Sequence, residues 1–235
     1  MNCTIVISAY KRDLYLHKAI TDCLSTTDCK IIVVASGAKE MWLHAALEYH
    51  DHERVNFIIS GDKLTHSVGS NLGAELVDTD YICFLNDDIQ LPNPGWLGGL
   101  LECLVRDLTI GVITPISLNP KNGPDKLSVY WCGKKDFTVP EKGELWHDFM
   151  DDLWSDAQLK LPPDGTVVDS FYANFCCAVT PTAVFKSIKL RLTGKDCNDL
   201  GNDYQYSTDL KAIHLKSAVL IDRTNYILHW NDNNY

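Results

Sequence analysis

Short apolar runs rich in β-branched residues alternate with longer amphipathic stretches through the first half of the chain. The runs at residues 3–9, 30–35, 55–60 and 81–85 read as strands, and the stretches at 14–25, 40–49 and 67–77 between them read as helices. Strands joined by helices of that length pair in parallel through right-handed crossovers. The expected class is therefore α/β, with a mostly parallel central sheet flanked by helices. In such open sheets the ligand crevice lies beyond the carboxyl ends of the strands. Ala9-Tyr10, Ser36-Gly37 and Asn86-Asp87-Asp88 all fall there.

The pattern continues with a helix at 96–105, after Pro92-Asn93-Pro94-Gly95, and a strand at 111–114. From about residue 117 to 165 it stops, and isolated tryptophans at 131, 146 and 154 stand among Gly, Pro, Lys and Asp. A loop of that length is usually a functional lid or disordered. These tryptophans could stack on a ligand or pin the loop to the core. The acidic stretch around His147, with Asp148, Asp151, Asp152 and Asp156, reads as a solvated face. Order resumes with a strand at 171–180, a helix at 181–188 with Pro181 in its first turn, a helix at 203–213 and closing strands at 218–221 and 226–230.

Composition narrows this picture. A chain of 235 residues, 46% hydrophobic and 22% charged, suits one sizeable core. We expect a single domain over 1–235, its halves meeting near residue 115. Thirty-one acidic against 21 basic residues give a net charge of −10, which argues against nucleic acid as a partner. Nine cysteines without a CxxC pair suit free thiols in a reducing compartment better than a disulfide scaffold or zinc ribbon. The N-terminus lacks the form of a signal peptide, and no apolar run approaches the ~20 residues that span a bilayer. A soluble, cytoplasmic protein without a transmembrane segment is expected.

Asn86-Asp87-Asp88 is the sharpest chemical feature. Two adjacent carboxylates after a buried strand repel one another, and a hard cation such as Mg²⁺ or Mn²⁺ relieves this while phosphate oxygens fill its other positions. The alternative is a pair of solvent-facing acids in the turn before Pro92.

Four segments in order, Val6-Ile7-Ser8-Ala9-Tyr10-Lys11-Arg12, Ile32-Val33-Val34-Ala35-Ser36-Gly37, Asn71-Leu72-Gly73-Ala74 and Asp80 through Asp88, resemble family 2 glycosyltransferases of the GT-A fold. The resemblance covers roughly the first 115 residues well and the rest loosely. It implies a Rossmann-like, nucleotide-sugar-binding half at about 1–115 and a smaller acceptor-binding half at about 116–235. It places Ala9, Tyr10 and Arg12 along the nucleotide, Ser36 near the base and Asn71 on the ribose and diphosphate side. Asn86, Asp87 and Asp88 stand for the DXD motif. Asp88 is the preferred metal ligand, with Asp87 supporting it or binding the sugar. Ala35-Ser36 replaces a common Asp-Asp, so a carboxylate that often grips uracil is missing.

In the second half, Ala173 through Val179 looks like the family's acceptor-side strand. Asn202-Asp203 looks like its acidic pair with Asn in the first place, and His229 looks like its late histidine. The resemblance implies that Asp203 deprotonates an acceptor hydroxyl and that His229 completes the metal sphere. Read alone, Asp203 could be a helix N-terminal acid favoured by the macrodipole, with Asp196, Asp199 and Asp209 as competitors. His229 could be a core histidine. Transfer needs a base at the hydroxyl and a cation, Mn²⁺ or Mg²⁺, at the leaving diphosphate.

The expected partners are a nucleoside-diphosphate sugar, UDP-sugar favoured, and a hydroxyl of a glycan, glycoprotein or other glycoconjugate. Inversion is implied, with retention left open. A non-catalytic nucleotide-sugar-binding module is a second reading. A nucleotidyltransferase is disfavoured because Ser8-Ala9-Tyr10-Lys11-Arg12 lacks the expected glycine.

Overall fold

The apolar runs become the centre of a three-layer molecule. The computed structural model describes residues 2–10, 13–91, 93–119, 128–129, 163–170, 173–191, 202–222, 225 and 227–229. The elements are β1 (Cys3–Tyr10), α1 (Asp13–Thr26), β2 (Lys30–Ser36), α2 (Lys39–Glu48), β3 (Val55–Ser60), α3 (His66–Glu75), β4 (Tyr81–Asn86), β5 (Ile89–Gln90) and α4 (Trp96–Arg106). They continue with β6 (Ile110–Pro115), β7 (Ser117–Asn119), β8 (Ser128–Val129), β9 (Thr166–Ser170), β10 (Cys177–Pro181), α5 (Thr182–Ile188), α6 (Asn202–Ala212), β11 (Lys216–Ile221) and β12 (Ile227–His229).

Eight strands form one sheet in the order β3-β2-β1-β4-β10-β6-β11-β9. The pairings β3/β2, β2/β1 and β1/β4 are parallel, and β10 and β9 run against the other strands. The expected α/β class with a mostly parallel sheet is what the chain adopts.

Strand geometry explains the layers, because successive side chains point to opposite faces. Ile5 and Ile7, Ile31 and Val33, and Cys83 and Leu85 face one way and pack with Leu16, Ile20, Trp42, Trp96 and Leu100 from α1, α2 and α4. Val6, Ile32, Val34, Ile82 and Phe84 face the other way, toward Ala74, Phe185, Tyr206 and Leu210 from α3, α5 and α6. On this second side Phe84 and Phe185 lie 4.4 Å apart by ring centroids, and the edge of Tyr206 meets Phe175 at 5.1 Å. Helix α3 packs tightly on the sheet: a Cβ on Gly73 would lie 2.4 Å from a Val6 methyl.

Two expectations are corrected. The strand expected at 171–180 is shorter, Cys177–Pro181, because Asn174 Oδ1 accepts the Cys176 N–H and turns the chain before it. Pro181 ends that strand with an extended backbone, φ −60° and ψ 132°, and precedes α5 instead of lying in its first turn. Trp131, Trp146, Trp154 and the acidic residues near His147 lie outside the described residues, as do Asp196 and Asp199.

A second, four-stranded sheet of order β5-β12-β7-β8 was not anticipated. Its strands are two or three residues long, too short to leave a periodic pattern. Among the described residues no helix is long and apolar enough to cross a membrane.

Candidate active site at the strand ends

The parallel register brings Tyr10, Ser36 and Ser60 into one row at the carboxyl ends of β1, β2 and β3. Ser36 is buried, and its carbonyl accepts the Trp42 indole N–H at 2.9 Å. Gly37 follows with φ +79°, and the Tyr10 ring lies against it so closely that a Cβ there would sit 2.3 Å from Tyr10 Cε2. Lys63 Nζ stands 4.9 Å from the centroid of the same ring. The end of β1 therefore presents an aromatic ring backed by a bare glycine and accompanied by a cation. Ala9 is buried in the core, so a ligand could meet it only through its backbone. Arg12 lies outside the described residues.

Asp87 and Asp88 are 7% and 4% exposed, which removes the reading of them as solvent-facing turn acids. The Tyr10 backbone N–H donates to Asp87 Oδ2 at 3.0 Å, tying the end of β1 to the acidic turn. The small sheet supplies the next contact. β12 pairs antiparallel with β5, His229 opposite Ile89, which sets His229 beside Asp88 with Nε2 3.4 Å from Oδ1. His229 is itself 8% exposed.

Burial pushes the His229 pKa down, but Cys176 and Asp88 outweigh it and hold the imidazole well above its ordinary value. Cys176 is pushed up by its own burial, so at neutral pH it is a thiol and Asp88 is the charge that counts. A buried carboxylate needs a counter-charge, and a protonated His229, with Nε2 beside Oδ1, could provide it. A divalent cation could replace that proton, with carboxylate and imidazole as ligands that Mn²⁺ and Mg²⁺ accept to different degrees. Among the described residues no three His, Cys, Asp or Glu side chains gather as a complete metal cluster. Phosphate oxygens of a bound ligand could fill further positions on a cation held here.

Next to this pair lies a cavity of about 180 Å³ lined by His66, Asn86, Asn174, Phe175, Cys176, Asn202 and Asp203. Four segments build it: β4, the turn before β10, and the N-termini of α3 and α6. The turn before β10 is fastened to β4 by Asn86 N–H donating to the Cys176 carbonyl at 3.0 Å. The Asp203 carboxylate, in the first turn of α6, accepts the Phe175 N–H at 3.2 Å and is thereby aimed at that turn. Asn202 is buried and donates to Ser67 Oγ at 2.9 Å, which joins the N-terminus of α6 to that of α3.

The structure thus brings Asp203 and Asn86 to one cavity and sets Asp88 against His229. Asn71 is engaged elsewhere: its amide donates to the Leu190 carbonyl at 2.8 Å and accepts the Leu190 N–H at 3.0 Å. The role that the resemblance implied for it, on the ribose and diphosphate side, competes with this clamp. Asp209 pairs with Arg191 at 2.9 Å, which accounts for that competitor of Asp203. His66 and Lys63 were not anticipated. The signal for His66 was its place at the start of a helix capped by Thr65, whose hydroxyl accepts the Val68 N–H.

Residues 4–150 match the family described as Glycosyl transferase family 2. No curated protein matches the sequence. Among solved structures, GalNAc-T7 with UDP, GalNAc and Mn²⁺ superposes with a TM-score of 0.71 at 12% identity, over 100% of this chain and 44% of that one. The mannosyltransferase PcManGT from Pyrobaculum calidifontis, in complex with GDP-Man and Mn²⁺, does so with a TM-score of 0.60 at 12% identity, over 99% of this chain and 58% of that one. The chain spans about half the length of these two proteins, and likeness at that identity establishes a shared fold, the GT-A arrangement.

Proposed function

The chain belongs to glycosyl transferase family 2, and on that premise we propose that it is a metal-dependent, inverting glycosyltransferase. The donor is a nucleoside-diphosphate sugar, UDP-sugar favoured, and the acceptor a hydroxyl of a glycan or glycoconjugate. The observation that carries this reading is the buried Asp88–His229 pair beside a cavity that holds Asp203 in its wall.

The residues divide the work. The Tyr10 ring, set on Gly37 with Lys63 beside it, offers a stacking face and a cation to a nucleotide. Asp88 and His229 would hold Mn²⁺ or Mg²⁺ together with diphosphate oxygens, and that ion would supply positive charge to the leaving nucleoside diphosphate. Asp87, locked to the β1 backbone, keeps the acidic turn in register with the nucleotide face. Asn86, Asn174 and Asn202 give the cavity amide groups suited to sugar hydroxyls. Asp203, oriented by the Phe175 N–H, takes the acceptor proton as the hydroxyl attacks the anomeric carbon.

The test is sugar transfer and donor hydrolysis across candidate nucleotide-sugars with Mn²⁺, comparing the wild type with Asp88→Ala. Loss of both activities in a folded variant supports the proposal. Full activity in that variant, or in excess chelator, overturns it. The anomeric configuration of the product decides between inversion and retention.

A further inference from the structure

Five of the cysteines lie on one side of the sheet, in its core, and two of them stand at the amino ends of β1 and β2, away from the cavity. Cys3 opens β1, Cys29 immediately precedes β2, Cys83 and Cys177 lie on β4 and β10, and Cys23 lies on α1. One pair differs from the rest. β1 and β2 are parallel, with Thr4 opposite Lys30 as their first partners, so Cys3 and Cys29 stand side by side one step earlier. Neighbouring strands are about 4.8 Å apart, inside the Cα separation of roughly 4.4–6.8 Å that a disulfide bridges without backbone movement. Both belong to one side of the sheet, Cys3 in its core cluster and Cys29 packed against that cluster.

We propose that Cys3 and Cys29 form a peroxide-sensitive thiol pair, with Cys29 the attacking and Cys3 the resolving sulfur. The assignment follows from access and surroundings. Cys29 is partly exposed, whereas Cys3 is buried. The neighbouring Cys3 thiol, with the Thr27 hydroxyl and the Arg54 guanidinium, outweighs burial and lowers the Cys29 pKa to about 7. Cys3 shifts the opposite way, through its neighbour Cys29 and its own burial. Arg54 is fixed in place by donating to the Thr27 and Leu24 carbonyls at 2.6 and 3.1 Å. Cys23 and Cys83 are fully buried and pushed up by desolvation, and Cys103, although partly exposed, is pushed up as well. Such thiols react slowly.

The chemistry balances with hydrogen peroxide as oxidant. The Cys29 thiolate attacks one peroxide oxygen, the O–O bond breaks, and hydroxide leaves a sulfenic acid on Cys29, whose sulfur has given up two electrons. The Cys3 sulfur then attacks the Cys29 sulfur, the S–O bond breaks, and the oxygen leaves as water with the Cys3 proton. Two thiols and one peroxide give one disulfide and two waters. The bond would staple the amino ends of β1 and β2, roughly 23 Å along β1 from Tyr10.

The experiment treats the full chain with limiting hydrogen peroxide, blocks remaining thiols by alkylation and maps the peptides by mass. The expected result is a Cys3–Cys29 linked peptide, about 2 Da lighter than the sum of its parts and released by a phosphine reductant. Cys29→Ser should abolish it. Cys3→Ser should stop the reaction at a sulfenic acid on Cys29 that dimedone traps. Linkage of either cysteine to a different partner, oxidation of Cys103 ahead of Cys29, or persistence of both thiols while peroxide is consumed would each overturn the proposal. The wild-type map decides even where a variant fails to fold.

Discussion

Replacing Gly37 with alanine tests whether the Tyr10 ring is the nucleotide platform. The added Cβ would lie 2.3 Å from Tyr10 Cε2 and 2.9 Å from Cδ2. Ordinary carbon contacts begin near 3.5 Å, so the ring must withdraw by roughly 1 Å or tilt off the strand end. The backbone, at φ +79°, adds a cost of about 1–2 kcal/mol for any residue bearing a Cβ. Against a domain stability of about 5–15 kcal/mol the fold survives. Base stacking on an aromatic ring contributes about 1–3 kcal/mol. Displacing the ring should therefore raise the Kd for UDP about tenfold or more, at about 1.4 kcal/mol per decade. Calorimetric titration of UDP with Mn²⁺ reads this directly, with circular dichroism as the check on folding. A double-mutant cycle separates ring displacement from any contact Gly37 makes itself: in a Tyr10→Leu background, Gly37→Ala should cost little more. Unchanged UDP affinity in folded Gly37→Ala, or full additivity in the cycle, would refute the reasoning.

Two further predictions concern the scaffold. After α6, His214 N–H donates to the Lys211 carbonyl and Leu215 N–H to the Leu210 carbonyl, a Schellman pattern that puts His214, at φ +63°, where glycine is favoured. His214→Gly should stabilise by about 1 kcal/mol, raising Tm by about 2–4 °C, whereas His214→Ala should not; equal effects from the two would sink the argument. Asp107 is held down to about 2 by the Thr109 hydroxyl, then by Lys216 and the Thr109 N–H. A depressed carboxylate stabilises the fold above its unfolded pKa, and that contribution fades as pH falls from about 4 toward 2. Thr109→Val should move the Asp107 midpoint, read by carboxyl NMR titration, upward toward 3.8, and no movement would show the hydroxyl to be irrelevant.

β1, β2 and β4 were legible because a parallel strand covered on both faces must be apolar throughout, and the edge strand β3 because its run is still mostly apolar. Val55–Ser60 falls where the pattern put it, and β1, β2 and β4 each extend only one residue further, to Tyr10, Ser36 and Asn86. Those extra residues are the strand ends that carry the candidate chemistry. What the pattern could not show is anything decided by pairing at a distance. β12 has three residues and β5 two, and neither is periodic, yet their register alone brings His229 to Asp88. Asn71 shows another effect of pairing at a distance. Its place in a family-like segment implied contact with the donor, but a side-chain amide takes whichever backbone is near, and the Leu190 peptide offers both a donor and an acceptor.

The buried pair at the centre of the site also bears on why a cation would be needed at all. Two unit charges of one sign about 4 Å apart repel by about 4 kcal/mol at the effective dielectric near a protein surface, so a diphosphate brought to Asp88 meets an unfavourable field. The chain's net charge of −10 deepens it. A protonated His229 would answer the charge of Asp88 with one positive charge, enough for one carboxylate but not for an arriving diphosphate. If the proposed site holds a divalent cation on Asp88 and His229, that ion would reverse the sign of the local field. It would also give the imidazole a role that requires it to lose its proton. Under that proposal proton and metal would be alternative occupants of one buried position, and the small sheet that delivers His229 would be the element on which the exchange depends.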